Sequence, residues 1–391
     1  MESVELFVGA GGLALGVSQA NFKHALVVDF DRQSCDTIRE NKERGVKHVR
    51  DWPLRQADVR HLDYAGLPES IDLLAGGPPC QPFSLGGKHR AHRDKRDMFP
   101  EVARAIRTIR PRAIIIENVR GLVRRGFAKY FSHIILQLTY PEIEPRDGES
   151  WTDHLARLER YHTAGCPDGL FYRVVFRVLN AADYGVPQLR ERVVIVGFRS
   201  DLGIEFSFPS PTHSRDALLS DQFSTRHYWE RHQIAKRDRP EPSASERPHW
   251  KRPCESSMPF LKPWRTVRDA FVDLPDPFDP RAETRGISNH RLMPGARPYP
   301  GHTGSRMDWP AKTLKAGVHG VPGGENMVVL EDGSVRYFTV REAARLQTFP
   351  DDYYFPGVWS ENMRQLGNAV PVQLGEAVAK RVRAKLARAL S

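Results

Sequence analysis

Short apolar runs alternate with segments of helical periodicity along the first 200 residues. Short, mainly apolar runs at residues 4–8, 24–28 and 71–75 and the continuous apolar run at 113–116 predict buried strands, and residues 172–179 and 192–198 predict two more. Between these runs, residues 13–17, 98–110 and 126–138 have the apolar spacing of amphipathic helices. Strands that alternate with helices predict an α/β fold, in the form of a Rossmann-like, doubly wound and mostly parallel sheet.

Polar or glycine-rich features follow four of these strands. They are the turn at residues 9–12 (Gly-Ala-Gly-Gly), Asp29, Cys80 and Glu117. In a parallel sheet, ligands bind beyond the carboxyl ends of the strands, so these features would share one edge. That edge is the predicted functional site.

The segment around Cys80 is expected to be stiff. Residues 76–84 are Gly-Gly-Pro-Pro-Cys-Gln-Pro-Phe-Ser and follow a buried strand directly. Prolines on both sides of the thiol fix the backbone, which suits a nucleophile that must be held in place. For a lone cysteine, a buried and inert thiol in a proline-rich turn is the more common case, and it is the rest of the chain that favours a nucleophile.

The first strand, glycine turn and helix have the layout of a dinucleotide-binding motif. Backbone amides and a helix N-terminus would face the ligand there, although glycine spacing alone also fits a plain tight turn. At the end of the second strand, Asp29 stands where a ribose would be bound, and Phe30 could stack on an adenine. The alternative is an ordinary strand-end acid beside a core phenylalanine.

Composition and charge narrow the class of protein. The 391-residue chain is 40% hydrophobic, enough for two or three globular domains. A formal net charge of +10 favours a polyanionic partner. The four cysteines have neither CxxC nor metal-ligand spacing, which favours reduced thiols and no metal site. Without a long apolar run or a signal peptide, we expect a cytoplasmic protein that does not bind membranes.

Changes in composition and in apolar pattern along the chain predict three segments. Residues 1–199 form the α/β domain, which carries a polar insertion at 141–168. Residues 200–335 are rich in proline, arginine, histidine and tryptophan, as a smaller irregular domain that faces nucleic acid would be. A basic surface over buried aromatic side chains is the alternative. Residues 336–391 return to the first domain and end in an amphipathic helix.

At this point the motifs resemble those of the DNA cytosine-5 methyltransferases of bacterial restriction–modification systems. The resemblance covers nearly the whole chain, and six motifs occur in the family's order. They are residues 7–12 (Phe-Val-Gly-Ala-Gly-Gly), 77–84 around Cys80, 117–119 (Glu-Asn-Val), 188–192 (Gln-Leu-Arg-Glu-Arg), 336–351, and 367–370 (Gly-Asn-Ala-Val). Glu5 stands where the family usually has aspartate, which puts little in doubt because both are acids.

The resemblance implies an S-adenosylmethionine-dependent methyltransferase fold, with that molecule as methyl donor and no metal. Its methionine and ribose would lie against the first motif, Asp29 would hold the ribose hydroxyls, and Phe30 would stack on adenine. Asp58 would accept from the adenine amino group. The residues that the resemblance assigns to this pocket are Phe7, Gly9, Gly11, Gly12, Leu13, Asp29, Phe30, Asp58, Val59, Pro78, Met98, Asn368 and Ala369.

The resemblance also implies the catalytic residues. Cys80 would be the nucleophile that adds to C6 of cytosine, and Glu117 would hydrogen-bond or protonate N3. Arg192 would contact O2, and Arg190 would support the catalytic loop; without the family, a salt bridge at a strand start is the simpler role for these arginines. The loop after Cys80 would close over double-stranded DNA, with contacts from Gln81, Ser84, Lys88 and Arg90.

Three alternatives stay open at the level of the sequence. An RNA cytosine-5 methyltransferase can share every motif, and a DNA-binding regulator could keep the fold without the chemistry. A thiol hydrolase would need a histidine base such as His89 or His92, which would leave the glycine turn unexplained. We expect a monomer, with a cognate restriction endonuclease acting on the same DNA site as a possible partner.

Overall fold

The computed structural model of the chain describes residues 1–79, 97–165, 169–242, 261–279, 286–300, 303–317 and 326–390. Two compact units are present. The first comprises Met1–Leu179, Glu191–Pro209 and Gly375–Ser391, and the second comprises Asn180–Arg190 and Ser210–Leu374. The division at residues 199 and 335, which was drawn by expected role, stays a prediction.

A seven-stranded sheet forms the centre of the first unit. Its strands are β1 (Glu2–Leu6), β2 (Lys23–Asp29), β3 (Leu54–Gln56), β4 (Leu73–Gly76), β5 (Ala113–Val119), β6 (Tyr172–Asn180) and β7 (Glu191–Arg199), in the spatial order β3-β2-β1-β4-β5-β7-β6. Strands β1 to β5 run parallel, and β7 runs antiparallel to β5. The predicted doubly wound, mostly parallel sheet is therefore confirmed.

The connections of this sheet are helical, as the alternating pattern predicts. They are α1 (Gly12–Gln19), α2 (Arg32–Glu43), α3 (Phe99–Ile109), α4 (Ala128–Thr139) and α5 (Trp151–Ala164). Apolar side chains of β1, β5, α3 and α4 bury one another in a shared core, for example Val4, Ile114, Ile106 and Ile134. Burial on both faces explains why β5 is a continuous apolar run.

The C-terminal helix, Val372–Leu390, belongs to the first unit from Gly375 onward. A Cβ atom on Gly375 would lie 3.2 Å from Leu13 Cδ1 and 3.6 Å from the Leu13 carbonyl oxygen. The helix can approach α1 this closely because residue 375 has no side chain. The end of the chain therefore packs beside the glycine turn.

The second unit has short elements around an aromatic core. Its helices are Arg215–Leu219, His227–Arg231, Val267–Phe271, Val340–Leu346 and Trp359–Asn368, and its strands are His213–Ser214, Lys262–Pro263, Ser305–Arg306, Met327–Val329 and Val335–Tyr337. Thr339 caps Val340–Leu346 in a capping box with Glu342. Within the described residues of both units, no helix combines the length and apolar character that crossing a membrane requires.

Candidate active site

The glycine turn follows β1 in a strained backbone conformation. Phe7 has a φ of 57°, which is rare for a residue with a side chain, and Gly9 and Gly11 have φ values of 53° and 86°. The Gly11 N–H donates to the Val8 carbonyl at 2.9 Å, so the turn closes on itself before α1 begins at Gly12. Space is open where a Cβ atom of Gly9 would stand, so the loop backbone is accessible on that side.

Asp29, at the end of β2, holds this turn in place. One of its carboxylate oxygens accepts from the Gly9 N–H at 2.7 Å, and the other accepts from the Asp31 N–H at 2.8 Å. Burial raises the pKa of the Asp29 carboxyl group, although the backbone donors lower it in part. The next side chain, Phe30, is 67% exposed, so the alternative of a core phenylalanine does not apply.

Asp58 follows β3 and caps a short 3₁₀ helix, Val59–His61. Its carboxylate accepts from the Arg60 side chain, and this bond lowers the pKa of Asp58 to about 2. Asp58 is therefore a surface anion that already has a cationic neighbour. Val59 beside it is buried, and its carbonyl accepts from the Arg104 guanidinium.

The ends of β4 and β5 are fastened together beside the predicted nucleophile. The Asn118 side-chain amide donates to the Pro78 carbonyl at 3.2 Å. A Cβ atom on Gly77 would lie 3.3 Å from Glu117 Oε2, so the Glu117 carboxylate packs against the backbone that leads to Cys80. The predicted residues Cys80, Gln81, Ser84, Lys88 and Arg90 themselves lie outside the described residues.

Glu117 and Arg192 come together on neighbouring antiparallel strands. Arg192 lies opposite Val119 in the register of β5 and β7, which places its side chain on the same face as Glu117. The Arg192 Nε atom is 2.7 Å from Glu117 Oε1, and the two side chains are only 11% and 10% exposed. The pair can present an acid and a cation to one ligand in a largely dry site.

Arg190 belongs to the second unit and is fully buried there. Its guanidinium donates to the carbonyl oxygens of Leu314 at 3.0 Å, Gly367 at 2.7 Å and Ala369 at 2.8 Å. The motif at 188–192 and the motif at 367–370 are thus joined through Arg190. Asn368 ends the helix Trp359–Asn368, and its predicted place beside the glycine turn stays a prediction.

The structure also gives the burial and the neighbours of Leu13, Met98 and Cys35. Leu13 is buried in the first turn of α1 under Gly375, and the half-buried Met98 precedes α3. Of the cysteines, Cys35 is buried, and burial raises its pKa to about 12, which makes it an inert thiol. Among the described residues, no group of His, Cys, Asp or Glu side chains is arranged to hold a metal ion.

Two features of the site were not predicted from the sequence: the contacts that connect β4 to β5, and the basic segment that follows β5. Asn118 and Gly77 connect β4 to β5, and only their adjacency to Glu117 and Cys80 in two motifs hinted at a role. The segment after β5 is also basic: residues 119–140 contain four Lys or Arg and no Asp or Glu. Arg124, Arg125 and Lys129 of this segment are exposed.

In the second unit, the aromatic residues of 226–268 that are described lie in its core. Trp229 and Trp264 are 2% and 9% exposed and pack with Tyr228, Ala182 and Leu218. Their indole N–H groups donate to the Gln222 carbonyl and to Asp183. These tryptophans follow the alternative of aromatic side chains that are buried beneath the surface.

Comparison with known proteins places these motifs in a family. A sequence profile of C-5 cytosine-specific DNA methylases matches residues 1–140 and 167–384. The chain is 32% identical to the Type II methyltransferase M.Eco47II of Escherichia coli, across 97% of this chain and 78% of that protein. It is 30% identical to the Type II methyltransferase M.NgoMIV of Neisseria gonorrhoeae, across 97% and 96% of the two chains.

A solved structure has the same fold. The S. pombe Dnmt2 methyltransferase matches with a TM-score of 0.54 over 99% of both chains, at 17% sequence identity. At that identity the likeness concerns the arrangement of strands and helices alone.

Proposed function

The chain belongs to the C-5 cytosine-specific DNA methylase family and is a DNA cytosine-5 methyltransferase, and on that premise we propose how it works. It transfers a methyl group from S-adenosylmethionine to C5 of a cytosine that is flipped out of a specific duplex DNA sequence. The observation that carries this proposal is the Glu117–Arg192 pair beside the backbone of Gly77. An acid and a cation lie there beside the backbone segment that precedes Cys80, and activation of cytosine requires an acid, a cation and a thiol.

The reaction begins at Cys80, because C5 of cytosine is a poor nucleophile on its own. The Cys80 thiolate adds to C6, which makes C5 enamine-like and able to attack an electrophilic methyl group. Glu117 hydrogen-bonds or protonates N3 as charge builds on the ring, and Arg192 contacts O2. C5 would then form a bond to the methyl group as the bond from that group to the sulfonium sulfur breaks, which leaves S-adenosylhomocysteine. Loss of the C5 proton to a base then restores the C5–C6 double bond, and the C6–sulfur bond breaks to expel the Cys80 thiolate.

The ion pair explains how Glu117 is oriented for this task. Arg192 Nε binds one carboxylate oxygen, while the other packs against Gly77. A carboxyl group fixed on both sides loses little entropy when it meets the base. Arg190 contributes indirectly, since it holds the backbone of the 367–370 motif.

The residues at the glycine turn fit S-adenosylmethionine, which supplies the methyl group as a sulfonium. Open space beside Gly9 leaves the loop backbone accessible, and the exposed Phe30 ring offers a stacking surface for adenine. Asp29 orders the turn and is the acceptor for the ribose hydroxyls. The remaining residues proposed for the pocket are Phe7, Gly11, Gly12, Leu13, Asp58, Val59, Pro78, Met98, Asn368 and Ala369.

Duplex DNA is the proposed macromolecular substrate. A cytosine inside a duplex cannot reach the edge of a sheet, and flipping it out costs a few kcal/mol. Exposed cations close to the acid can offset that cost by binding backbone phosphates. Arg124 and Arg125 are exposed and follow the carboxyl end of β5 in the chain, and they are proposed for this role, along with Gln81, Ser84, Lys88 and Arg90.

The relatives named Type II methyltransferases support a place in a restriction–modification system. In that setting the chain is the modification enzyme, acts as a cytoplasmic monomer, and protects the sites that a cognate endonuclease would cut. Residues 200–335 are proposed to select the DNA sequence.

The test is methyl transfer from labelled S-adenosylmethionine into duplex DNA, followed by bisulfite sequencing, for the wild type and Cys80→Ser. We expect label in one sequence context from the wild type and none from the variant. Label in RNA but not in DNA would contradict the DNA substrate. DNA binding without transfer to either nucleic acid would indicate a regulator that has kept the fold.

A further inference from the structure

Residues 141–166 lie outside the two stretches that match the family profile, and Trp151–Ala164 within them form the helix α5. Ser150 caps α5 by accepting from the Asp153 N–H at 3.2 Å. One face of α5 buries His154, Leu155 and Leu158, and α5 packs on α4. The insertion is therefore part of the core of the first unit.

Two histidines join α4 to the insertion. His154 Nε2 lies 2.8 Å from the Ile143 carbonyl oxygen, so this nitrogen carries the proton and Nδ1 is an acceptor. His133 Nε2 must then donate to His154 Nδ1 across 3.0 Å. Both rings are buried, and the pair holds α5 in one position against α4.

Trp151, the first residue of α5, is linked to the residue range that precedes α3 by a chain of contacts in which Tyr130 is the intermediate. Its ring meets Tyr130 of α4 edge-on, with centroids 5.3 Å apart. The Tyr130 hydroxyl donates to the Asp97 carboxylate, and the other oxygen of Asp97 accepts from the Phe99 N–H at 3.2 Å. In the sequence, Asp97 directly follows the segment 80–96, which contains Cys80.

The insertion also holds the far end of α3. The Arg107 guanidinium donates to the Pro141 carbonyl at 2.9 Å and pairs with Glu144 at 2.6 Å. Arg110, which follows α3, pairs with Glu142 at 2.6 Å. Both ends of the helix that follows the Cys80 segment are thus tied to residues 141–166.

We propose that residues 141–166 are a brace that fixes the anchor at Asp97, and that Tyr130 and Trp151 are positioning residues for methyl transfer. The inference rests on the proposed function, because it concerns the segment that carries the nucleophile. A nucleophile must be held within a fraction of an ångström of its productive place. The Trp151–Tyr130–Asp97 chain supplies one fixed end for that segment.

The test compares two tyrosines at opposite ends of α4: Tyr130 in its first turn and Tyr140 directly after its last residue. Tyr130→Phe removes the bond to Asp97 and keeps the ring against Trp151. Tyr140→Phe is the matched control, since it removes a hydroxyl that binds His162 of the same insertion at 2.7 Å. In single-turnover assays with labelled S-adenosylmethionine and duplex DNA, we expect Tyr130→Phe to be about tenfold slower. Cofactor affinity and Tm should not change, and Tyr140→Phe should match the wild type.

Two further comparisons separate positioning from folding. Trp151→Ala should slow transfer, and Trp151→Phe, which keeps an aromatic edge on Tyr130, should restore most of the rate. The double variant Asp97→Ala/Tyr130→Phe should be no slower than Asp97→Ala alone, because both act through one bond.

The outcomes are distinguishable. An active wild type with an unaffected Tyr130→Phe, or with Tyr140→Phe equally slowed, would refute the brace and leave the proposed function intact. A wild type that transfers no methyl group to any nucleic acid would refute the proposed function, and the brace with it.

Discussion

The Nε atom of Arg192 lies 2.7 Å from a carboxylate oxygen of Glu117, with both side chains about nine-tenths buried. A second acid–arginine pair joins Glu191, the first residue of β7, to Arg120, the residue directly after β5, but its side chains are 44% and 64% exposed. Solvent screens the outer pair and hardly reaches the inner one. The two pairs therefore differ in burial far more than in chemistry.

This contrast predicts different coupling energies. Glu117→Gln or Arg192→Met alone leaves a buried charge without its partner and should cost about 3–5 kcal/mol in the free energy of unfolding. The double variant should lose clearly less free energy of unfolding than the sum of the losses of the two single variants. Across Arg120 and Glu191, the corresponding cycle should give less than about 1 kcal/mol of coupling. Denaturant titrations of the wild type and the six variants measure both coupling energies, and equal couplings would contradict the buried character of the inner pair.

The glycine turn predicts two separable effects on cofactor binding. Phe30→Ala removes an exposed ring, so it should weaken S-adenosylmethionine binding by about tenfold, as loss of one stacked base would, and leave Tm unchanged. Asp29→Asn replaces one acceptor by a donor, so either the Gly9 or the Asp31 N–H loses its partner. That variant should lower both affinity and Tm. Calorimetry and thermal melts on one preparation distinguish them, and a Tm loss in Phe30→Ala would contradict the exposed position of the ring.

Most of the sheet could be predicted, because its central strands are mainly apolar runs. The edge strand β3 could not be predicted. β3 is three residues long with mostly exposed side chains, so nothing in its pattern separates it from a loop. α5 lies in a segment expected to be a polar surface insertion. Its buried face includes His154, a residue type that hydropathy counts as polar but that the His133 bond makes suitable for a core.

In the candidate site, the positions of several residues could be predicted from the sequence, but the contacts between them could not. Glu117, Arg192 and Asp29 could be placed because each sits in a motif at a strand end. The contacts that orient them could not, since the Glu117–Arg192 pair depends on the antiparallel register of β7, which connects residues far apart in the chain. The role of Arg190 in joining the 188–192 and 367–370 motifs depends likewise on tertiary packing.

The basic segment after β5 predicts a change in the salt dependence of DNA binding. Arg124→Ala/Arg125→Ala removes two exposed cations that follow the carboxyl end of a central strand. If both contact phosphates, the slope of log K against log salt should fall by about 2. Lys23→Ala/Lys47→Ala removes the same charge from the first residue of β2 and from the segment between α2 and β3, at the edge where the parallel strands begin.

Fluorescence anisotropy with a labelled duplex at several salt concentrations gives the three slopes. The control pair should leave the slope close to that of the wild type. An equal reduction in both variants would mean that net charge alone, and not the position of Arg124 and Arg125, governs binding.

The His133–His154 pair predicts how stability depends on pH. Burial, with a smaller contribution from neighbouring His154, lowers the pKa of His133 to about 4, against 6.5 for an unperturbed histidine. Its unprotonated form is thus favoured by folding, so its stabilisation is complete above pH 6.5 and is lost as the pH falls towards 4. At about 1.4 kcal/mol per pH unit, the full loss is about 3 kcal/mol.

His133→Gln tests this directly, because the glutamine amide can still donate to His154 Nδ1 but cannot titrate. The wild type should lose stability more steeply than the variant between pH 6.5 and 4, and the two curves should run parallel above that window. His61→Gln, which removes an exposed histidine, is the control and should follow the wild type. Buried carboxyl groups with raised pKa values, such as Asp29, act in the opposite direction in all three proteins. They cancel in the differences, so a His133→Gln curve as steep as the wild type would contradict a neutral, buried His133.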